Sequence, residues 1–329
     1  MLPVNLGGSD VLGLGAFSKE VIGPIIRGVG NALEPIRIRL TEGARGAQID
    51  YMITAMEARG LTIEKMEYSL TDRTEVRVLA ESMRQQNNRE EVAAATVKHA
   101  IEDKTQPQPD IAPPSLEWID KFWSLAEKVS DPDMQAFWGK VLSRRASRRA
   151  AVSARTLDFI SLLSGEEAQA IELLSRSEVR TIGEGGEKLI GVIDHIGLGW
   201  DDVSLMDTNI IERGASMSAR LFEPIRLVDF DLLETIGFLR GRKNHFLYQP
   251  SGKKRLAIAN VVIEADLKPP ANHKSSVKLD VARTIGLTAI GEEIFEILKS
   301  DPHPVVLEVM MELMTLLGCD PKRMPDDRL

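Results

Sequence analysis

The sequence predicts a mainly α-helical protein, built of helical modules, with a smaller α+β part towards the C-terminus. Aromatic residues make up only 5% of the chain, whereas sheet proteins are enriched in aromatic and β-branched residues. Apolar residues recur at helical spacing through the first half, but from about residue 179 short apolar runs alternate with polar positions. With 43% hydrophobic and 27% charged residues, a chain of 329 residues is expected to form about two or three globular units.

Charge and cysteine content narrow the class of protein. The formal net charge of −8 argues against a general coating protein for nucleic acid but permits a local basic patch. Cys319 is the only cysteine, so neither an intrachain disulfide nor a cysteine zinc cluster can form. No basic residue precedes Lys19, and no apolar run is long enough for a transmembrane helix. We therefore predict a cytoplasmic protein without a transmembrane span.

Residues 1–38 form a glycine-rich apolar segment. Six of its apolar residues recur at helical spacing, and we predict that they mediate self-association: Val21, Ile22, Ile25, Ile26, Val29 and Leu33. Glycine lowers helix propensity by about 1 kcal/mol per position, so something must cover the apolar face of this helix. The body of the chain, another subunit and a bilayer are the candidates. We favour a second copy, hence a homo-oligomer, and a peripheral membrane location stays open.

Residues 39–104 are predicted to form long helices. One runs through residues 47–59 and ends at a glycine, the usual residue after a helix. A second continues to Glu102, with a break around residues 69–72. Sparse apolar positions of this kind are typical of helices that pair with another helix. The next stretch, residues 105–114, contains four prolines and is predicted to be an extended linker.

A compact helical module is predicted over residues 115–177. The serine at its start caps the first helix. Trp118 and Trp138 lie on the apolar stripes of the first and second helices, so we expect both to be buried in one core. A third helix spans residues 153–163, and Ser164–Glu167 matches the capping box of a fourth.

The remaining chain is divided into an α+β, winged-helix-like module over residues 178–300 and a C-terminal helix with a polar tail over residues 301–329. The apolar run 225–228 is interpreted as a short strand or a buried segment. The turn signal at residues 250–253 predicts a hairpin between a strand over residues 246–249 and a strand over residues 255–264. Thr288 is the expected N-cap of the following helix. Helix, hairpin and helix in this order favour a winged-helix-like unit.

Part of the chain resembles a known family. Four blocks carry the resemblance: Glu117–Trp123, Val129–Leu142, Ser153–Leu157 and Leu162–Ala168. They are similar to the bacterial family catalogued as Domain of Unknown Function 2806, and the resemblance extends in pieces over about residues 75–300. A looser resemblance links the chain to the Abi-alpha group of abortive-infection proteins. The resemblance implies a bacterial cytoplasmic protein of a mobile or defence locus, and it supplies no catalytic residues.

The sequence contains no catalytic motif that we can assign. Its five histidines are not spaced as metal ligands, and Asp194–His195 has no accompanying nucleophile motif. The glycine-rich stretches 183–186 and 197–199 match no phosphate-binding fingerprint and are interpreted as loops. We therefore expect no enzymatic activity and neither a metal nor a cofactor.

The strongest local signal is a run of basic residues, uninterrupted by acidic ones, between positions 140 and 155. Its members are Lys140, Arg144, Arg145, Arg148, Arg149 and Arg155. If the second helix of the module continues through this basic run, like charges stack at i, i+4 and repel, so an anionic partner would relieve a real cost. Phosphates of nucleic acid or of lipid headgroups are the candidate ligands. A solvated face, or pairing with acidic residues elsewhere, is the alternative.

These observations favour a bacterial interaction or effector protein, of anti-phage defence or abortive-infection type, that acts by binding. Its candidate partners are a second copy, a protein encoded by a neighbouring gene, and an anionic ligand. The alternative from another class is a nucleic-acid-binding regulator that uses the basic run and the C-terminal wing.

The chain departs from the resembled family at one place. Where relatives tend to have an acidic residue and a Pro-Gly turn, this chain has Ser143–Arg149.

Overall fold

The chain forms two compact units, Met1–Gly165 and Glu166–Leu329, in a computed structural model. The residues that the structure describes are 19–29, 70–102, 110–183, 186–195, 199–200, 208–226, 228–241, 244–248, 252–267, 279–316 and 320–324. The helix predicted over residues 47–59 lies outside them. The described end of the proline-rich stretch, residues 110–114, contains no helix or strand, and it belongs to the first unit.

The described part of the first unit consists of helices whose starts follow from local chemistry. They are α1 (Lys19–Val29), α2 (Leu70–Glu102), α3 (Leu116–Ala126), α4 (Pro132–Ala146) and α5 (Ala154–Leu162). Ser115, Asp131 and Ser153 accept hydrogen bonds from amides in the first turns of α3, α4 and α5, at 3.2, 2.9 and 3.2 Å. Such side chains satisfy amides that the helix itself leaves unpaired. The predicted serine cap of the first helix of the module is therefore confirmed.

The core of the first unit is an aromatic cluster on α3 and α4. Phe122 and Trp138 are completely buried, and Trp118 is 7% exposed. The Phe122 ring lies 5.5 Å from that of Trp118 and 5.2 Å from that of Trp138. The indole nitrogen of Trp118 donates to the Val152 carbonyl at 2.9 Å. The prediction that both tryptophans share one core is confirmed.

Helices α2 and α4 pack closely and run in the same direction. The Gln135 amide donates to the Asn88 side-chain oxygen at 3.1 Å, and further along both helices Gly139 lies against Ala95. A Cβ atom at Gly139 would stand 2.5 Å from the Ala95 Cβ, so only glycine lets the two backbones approach this closely. The pairing expected for the second long helix is thus made with α4.

The second unit combines helices with one sheet. Its elements are α6 (Gly165–Ser175), β1 (Glu178–Gly183), β2 (Gly186–His195), β3 (Gly199–Trp200), α7 (Thr208–Phe222), α8 (Phe230–Thr235), β4 (Asn244–Tyr248), β5 (Gly252–Ile258), β6 (Val261–Leu267), β7 (Leu279–Ile285), α9 (Ala289–Leu298), α10 (Pro304–Leu316) and β8 (Lys322–Arg323). A mainly helical chain with a smaller α+β C-terminal part is what the sequence predicts, and this fold class is confirmed.

The sheet is antiparallel, and its main strand order is β3-β7-β2-β1-β5-β6-β8, with β4 also paired to β7. Helices α7 and α10 bury their apolar residues against side chains from β1, β5 and β6. The residues of this core are Val179, Met217, Leu221, Leu256, Ile258, Ile263, Val306, Val309, Met310, Leu313 and Met314. The predicted cap of α9 is confirmed, since the Thr288 hydroxyl accepts from the Gly291 amide at 3.2 Å and donates to the Gly237 carbonyl at 2.7 Å.

Two predictions for this part need correction. Strand β4 pairs with β7 and not with β5, so the turn signal at residues 250–253 does not close a hairpin. The predicted strand 255–264 is two strands, β5 and β6, joined at Ala259 and Asn260, where Ala259 has a left-handed φ of 50°. The run 225–228, interpreted as a short strand or a buried segment, begins in a 3₁₀ turn, and its Ile225 and Val228 are buried. A winged-helix-like unit is not confirmed.

Candidate functional site

Helix α4 ends inside the basic run. The Arg149 amide donates to the Arg144 carbonyl at 2.8 Å, and the Arg148 amide donates to the Arg145 carbonyl at 3.2 Å. These two bonds form a Schellman motif, the common ending of a helix. The helix therefore stops at Ala146. Because of this, Arg148 does not extend the row of basic residues at i, i+4 that Lys140 and Arg144 begin.

Arg148 occupies the position of the motif that usually holds glycine. Its φ is 57°, a left-handed conformation that costs a residue with a side chain about 1–2 kcal/mol. Non-glycine residues held in such conformations cluster at functional sites, so the loop after α4 is the first place to look for one.

Arg144 and Arg145 are built into the unit. Arg144 is 7% exposed. The Arg145 guanidinium lies 5.7 Å from the centre of the Trp118 ring and donates to the Ala112 carbonyl at 2.5 Å. A cation over an indole face is attracted by its negative charge density. Arg145 thus ties the described end of the proline-rich stretch to the aromatic core. The sequence prediction that all six basic residues engage an anionic ligand stays a prediction, and Arg144 is the most deeply buried of them.

The remaining members of the basic run are more accessible than Arg144. Lys140, Arg148 and Arg149 are half-buried, and Arg155, at the start of α5, is exposed. We call these four residues the basic loop, although Lys140 lies on α4 and Arg155 on α5, because they flank or form the connection between these two helices.

The cation–π contact of Arg145 had a sequence signal that the prediction missed: tryptophan and arginine in neighbouring helices of one short module.

Lys140 also acts on a histidine that the sequence did not connect with it. Burial and, next, the positive charge of Lys140 lower the pKa of His99 on α2. A lowered pKa keeps the imidazole neutral at and above neutral pH.

A second charged cluster lies in the second unit and has a structural role. Arg180 donates to Glu178 at 2.7 Å and also to Glu296. Burial opposes the charged form of Arg180, but the two carboxylates outweigh it and raise its pKa above the usual range. Glu178 is only 3% exposed. A cation already enclosed by two carboxylates is not available for an anionic ligand.

The residues predicted to mediate self-association are placed only in part. Ile25 and Val29 on α1 are buried, 3% and 4% exposed, and α1 contacts α2, α3 and α4 of the same chain. These two side chains therefore do not form a free apolar surface. The side chains of Val21, Ile22 and Ile26 and all of Leu33 lie outside the described residues.

Metal sites need converging ligands, and membrane spans need long apolar helices. Among the described residues, no group of three or more His, Cys, Asp or Glu side chains is placed to hold a metal ion. None of the described helices combines the length and the apolarity needed to cross a bilayer. The glycine-rich stretches 183–186 and 197–199 lie partly outside the described part of the chain.

The fold and the basic loop define a mainly helical protein with a charged loop at the end of a core helix. The model of the family described as protein of unknown function (DUF2806) matches residues 72–218, from the start of α2 into α7. The resemblance to this family seen in the sequence is thereby confirmed for these residues. No curated protein and no solved structure matches the chain.

Proposed function

We propose that the protein acts by binding an anionic partner through the basic loop. The observation that carries the proposal is the charge pattern: between positions 140 and 155 the chain has six basic residues and no acidic one, although its net charge is −8. Concentrated positive charge on a net acidic protein favours a localised anionic ligand over general coating of nucleic acid.

The geometry of the loop supports this proposal. Arg148 is held in a conformation that glycine adopts at lower cost, and the Schellman motif directs the chain away from the helix axis immediately after it. Arg145 is fixed on Trp118 and Ala112, which orders the base of the loop. Because the base of the loop is already ordered, the loop loses less conformational entropy when a ligand binds.

Phosphate is the chemistry that such a loop suits best. Guanidinium groups donate paired hydrogen bonds that match two phosphate oxygens. Nucleic acid and the headgroups of an anionic lipid surface both present phosphate, and binding measurements on each of them separate the two. In the cell we propose a cytoplasmic interaction or effector protein of bacterial defence, because of the looser resemblance to the Abi-alpha group.

The second candidate function is a nucleic-acid-binding regulator. Three consecutive basic residues, Lys253–Arg255, lie on β5 in the β5–β6 hairpin, which is the nearest counterpart of the predicted wing. Arg255 is however paired with Glu264 at 2.9 Å, which reduces the charge the hairpin offers. We therefore favour the basic loop as the primary contact.

The test is neutralisation of the loop. The variant carries Arg148→Gln, Arg149→Gln and Arg155→Gln, and the matched control carries Arg73→Gln, Arg77→Gln and Lys98→Gln, three exposed positions of α2. Binding to duplex DNA, to RNA and to vesicles containing phosphatidylglycerol is measured over a range of salt concentrations. Arg144 is left unchanged because it is buried, and its replacement would disturb the fold.

We expect the loop variant to lose at least tenfold in affinity for one of the three ligands, while the control keeps wild-type affinity. For duplex DNA the slope of log K against log salt should fall by about 0.9 for each phosphate that the variant no longer neutralises. Equal binding by variant and control would refute the proposal.

In phage-infected cells, the loop variant should lose any protection that the wild-type gene confers. Copurification from the native host tests for a partner encoded by a neighbouring gene.

A further inference from the structure

An exposed apolar segment lies beside the basic loop. Residues 111–116 read Ile-Ala-Pro-Pro-Ser-Leu, so that five of the six are apolar and none is charged. Ala112 and Pro113 are exposed, and Leu116 is 58% exposed. We call residues 111–116 the apolar arm. Apolar residues that stay exposed together, next to concentrated charge, mark a contact surface.

Side-chain contacts hold the apolar arm against the basic loop. Arg145 donates to the Ala112 carbonyl at 2.5 Å, and its guanidinium lies 5.7 Å from the centre of the Trp118 ring. The carbonyl of Arg145 accepts from the Arg148 amide at 3.2 Å. The Trp118 indole donates to the carbonyl of Val152, near the other end of the connection between α4 and α5, at 2.9 Å. The arm and the loop are therefore neighbouring parts of the first unit.

The backbone of the apolar arm has few polar groups that need water. Pro113 and Pro114 have no amide hydrogen. The carbonyl of Ala112 is already paired, and the carbonyl of Ser115 accepts from the Ile119 amide at 3.1 Å. Irregular backbone is normally kept out of a bilayer because its unpaired amides and carbonyls are costly there. In the apolar arm much of this cost is absent.

Acidic side chains near this surface are partly neutralised. Asp120 on α3 accepts two hydrogen bonds from Arg27, at 2.6 and 2.8 Å. Asp158, one turn after Arg155 on α5, accepts from Lys121 at 2.6 Å. Carboxylates also flank the arm at positions 110 and 117, but the basic loop together with position 145 contributes five cations. The balance of charge beside the arm is therefore positive.

The composition of this surface favours a lipid bilayer over nucleic acid. Single-stranded nucleic acid is bound by exposed aromatic rings on which the bases stack, whereas Trp118, Trp123 and Trp138 are buried. Proline and leucine side chains offer no hydrogen-bond donor to a phosphate or a base edge. A peripheral membrane contact, in contrast, combines apolar side chains that enter the headgroup boundary with basic ones that attract anionic lipid.

We propose that the apolar arm and the basic loop together bind the surface of a bilayer that contains anionic lipid. Ile111 and Leu116 enter the boundary between headgroups and acyl chains, while Arg148, Arg149 and Arg155 bind headgroup phosphates. An apolar or an electrostatic contribution alone gives only weak attachment, and the two together make it stable. This inference rests on the proposed function, because it names the anionic partner of the same loop.

The first experiment tests the apolar contribution. The arm variant carries Ile111→Ser and Leu116→Ser, and the matched control carries Val78→Ser and Leu162→Ser, which remove two apolar side chains that are 55% and 84% exposed. Binding of the full chain is measured to phosphatidylcholine vesicles with and without phosphatidylglycerol, and to duplex DNA. We expect the arm variant to lose at least tenfold in affinity for the anionic vesicles, while the control binds them as wild type does.

The outcomes separate this inference from the proposed function. If the arm variant binds anionic vesicles as wild type does, or if wild type binds duplex DNA more tightly than these vesicles, the bilayer is not the partner, although anion binding by the loop still holds. If the loop variant keeps wild-type affinity for every ligand, the proposed function and this inference both fail.

The second experiment reports directly on insertion and does not need the arm variant to fold. A polarity-sensitive fluorophore is attached at Leu116→Cys in a chain that carries Cys319→Ser, because Cys319 is the only native cysteine. The control label is at Ser124→Cys, about 12 Å further along α3. With anionic vesicles, emission from position 116 should shift to shorter wavelength and be quenched by brominated acyl chains, and emission from position 124 should not. No shift at position 116, or equal shifts at both positions, would overturn the proposal.

Discussion

Replacing Gly139 with alanine inserts one methyl group where α2 and α4 lie closest. The new Cβ would stand 2.5 Å from the Ala95 Cβ and 2.8 Å from two backbone atoms, the Ala95 carbonyl carbon and the Thr96 nitrogen. Carbon atoms in favourable contact are about 3.5–4.0 Å apart. The helices must therefore separate by about 1 Å, because backbone atoms cannot rotate aside as a side-chain end can.

The magnitude follows from two opposing effects. Alanine gains about 1 kcal/mol over glycine in helix propensity. Overpacking of a closely packed core costs about 1–3 kcal/mol, and the upper end applies because two of the three close atoms belong to the backbone. We expect a net loss of about 2 kcal/mol in the free energy of unfolding. In a unit of this size that corresponds to a fall of about 4–8 °C in melting temperature.

The assay is urea denaturation followed by tryptophan fluorescence, since Trp118, Trp123 and Trp138 all lie in the first unit. Gly23→Ala is the matched control: nothing lies near its new methyl group, so it should be neutral or slightly stabilising. Adding Ala95→Gly to Gly139→Ala should restore only part of the loss, because the backbone contacts remain. If Gly139→Ala unfolds at the wild-type urea concentration or above, the close approach of α2 and α4 is wrong.

Three further predictions concern the core, a cap and one ion pair. Trp138→Ala should lower the free energy of unfolding by about 3–5 kcal/mol, because it empties a fully buried site. Thr288→Ala should lower it by about 1–2 kcal/mol in a melting experiment, because the cap of α9 is removed. A hydrogen bond from Arg27 lowers the pKa of Asp120, so the pair stabilises fully above the ordinary carboxyl value of 3.8 and is lost as pH falls through the lowered value. Asp120→Asn should therefore melt below wild type at pH 7, and the difference should vanish as the pH falls well below 3.8.

Each of these predictions has a result that would contradict it. Leu162→Ala removes an apolar side chain that is 84% exposed and should change stability by less than about 0.5 kcal/mol. If Trp138→Ala changes stability as little as this control does, the burial of Trp138 in the core is wrong. Unchanged melting of Thr288→Ala would contradict its role as a cap. A difference between Asp120→Asn and wild type that persists unchanged at low pH would show that the ion pair is not its cause.

The features that the sequence predicted well depend on neighbours along the chain. Ser115 and Thr288 were identifiable as caps because a cap bonds to an amide three residues further on. Trp118 and Trp138 were identifiable as core residues because helical spacing places them on one apolar stripe. The mainly helical class with a smaller α+β end followed from the same local signals, summed over long stretches.

Strand pairing was the main failure in the second unit. The turn residues at 250–253 are genuine turn formers, but a turn does not determine which strands it brings together. Strand β4 pairs with β7, more than 30 positions away in the sequence, and the hairpin turn lies instead at Ala259–Asn260. Pairing between strands this far apart in the sequence depends on tertiary contacts that no short window of sequence contains.

Composition alone determined that residues 140–155 are basic, but tertiary structure decided what each arginine can do. Arg144 is buried and Arg145 is fixed on Trp118, whereas Arg155 is exposed. The same holds for the glycines of α1, which are equivalent in the sequence and opposite in their surroundings. Caps, stripes and charge runs are encoded by residues a few positions apart. Burial and close approach are encoded by residues that meet only when distant segments pack together.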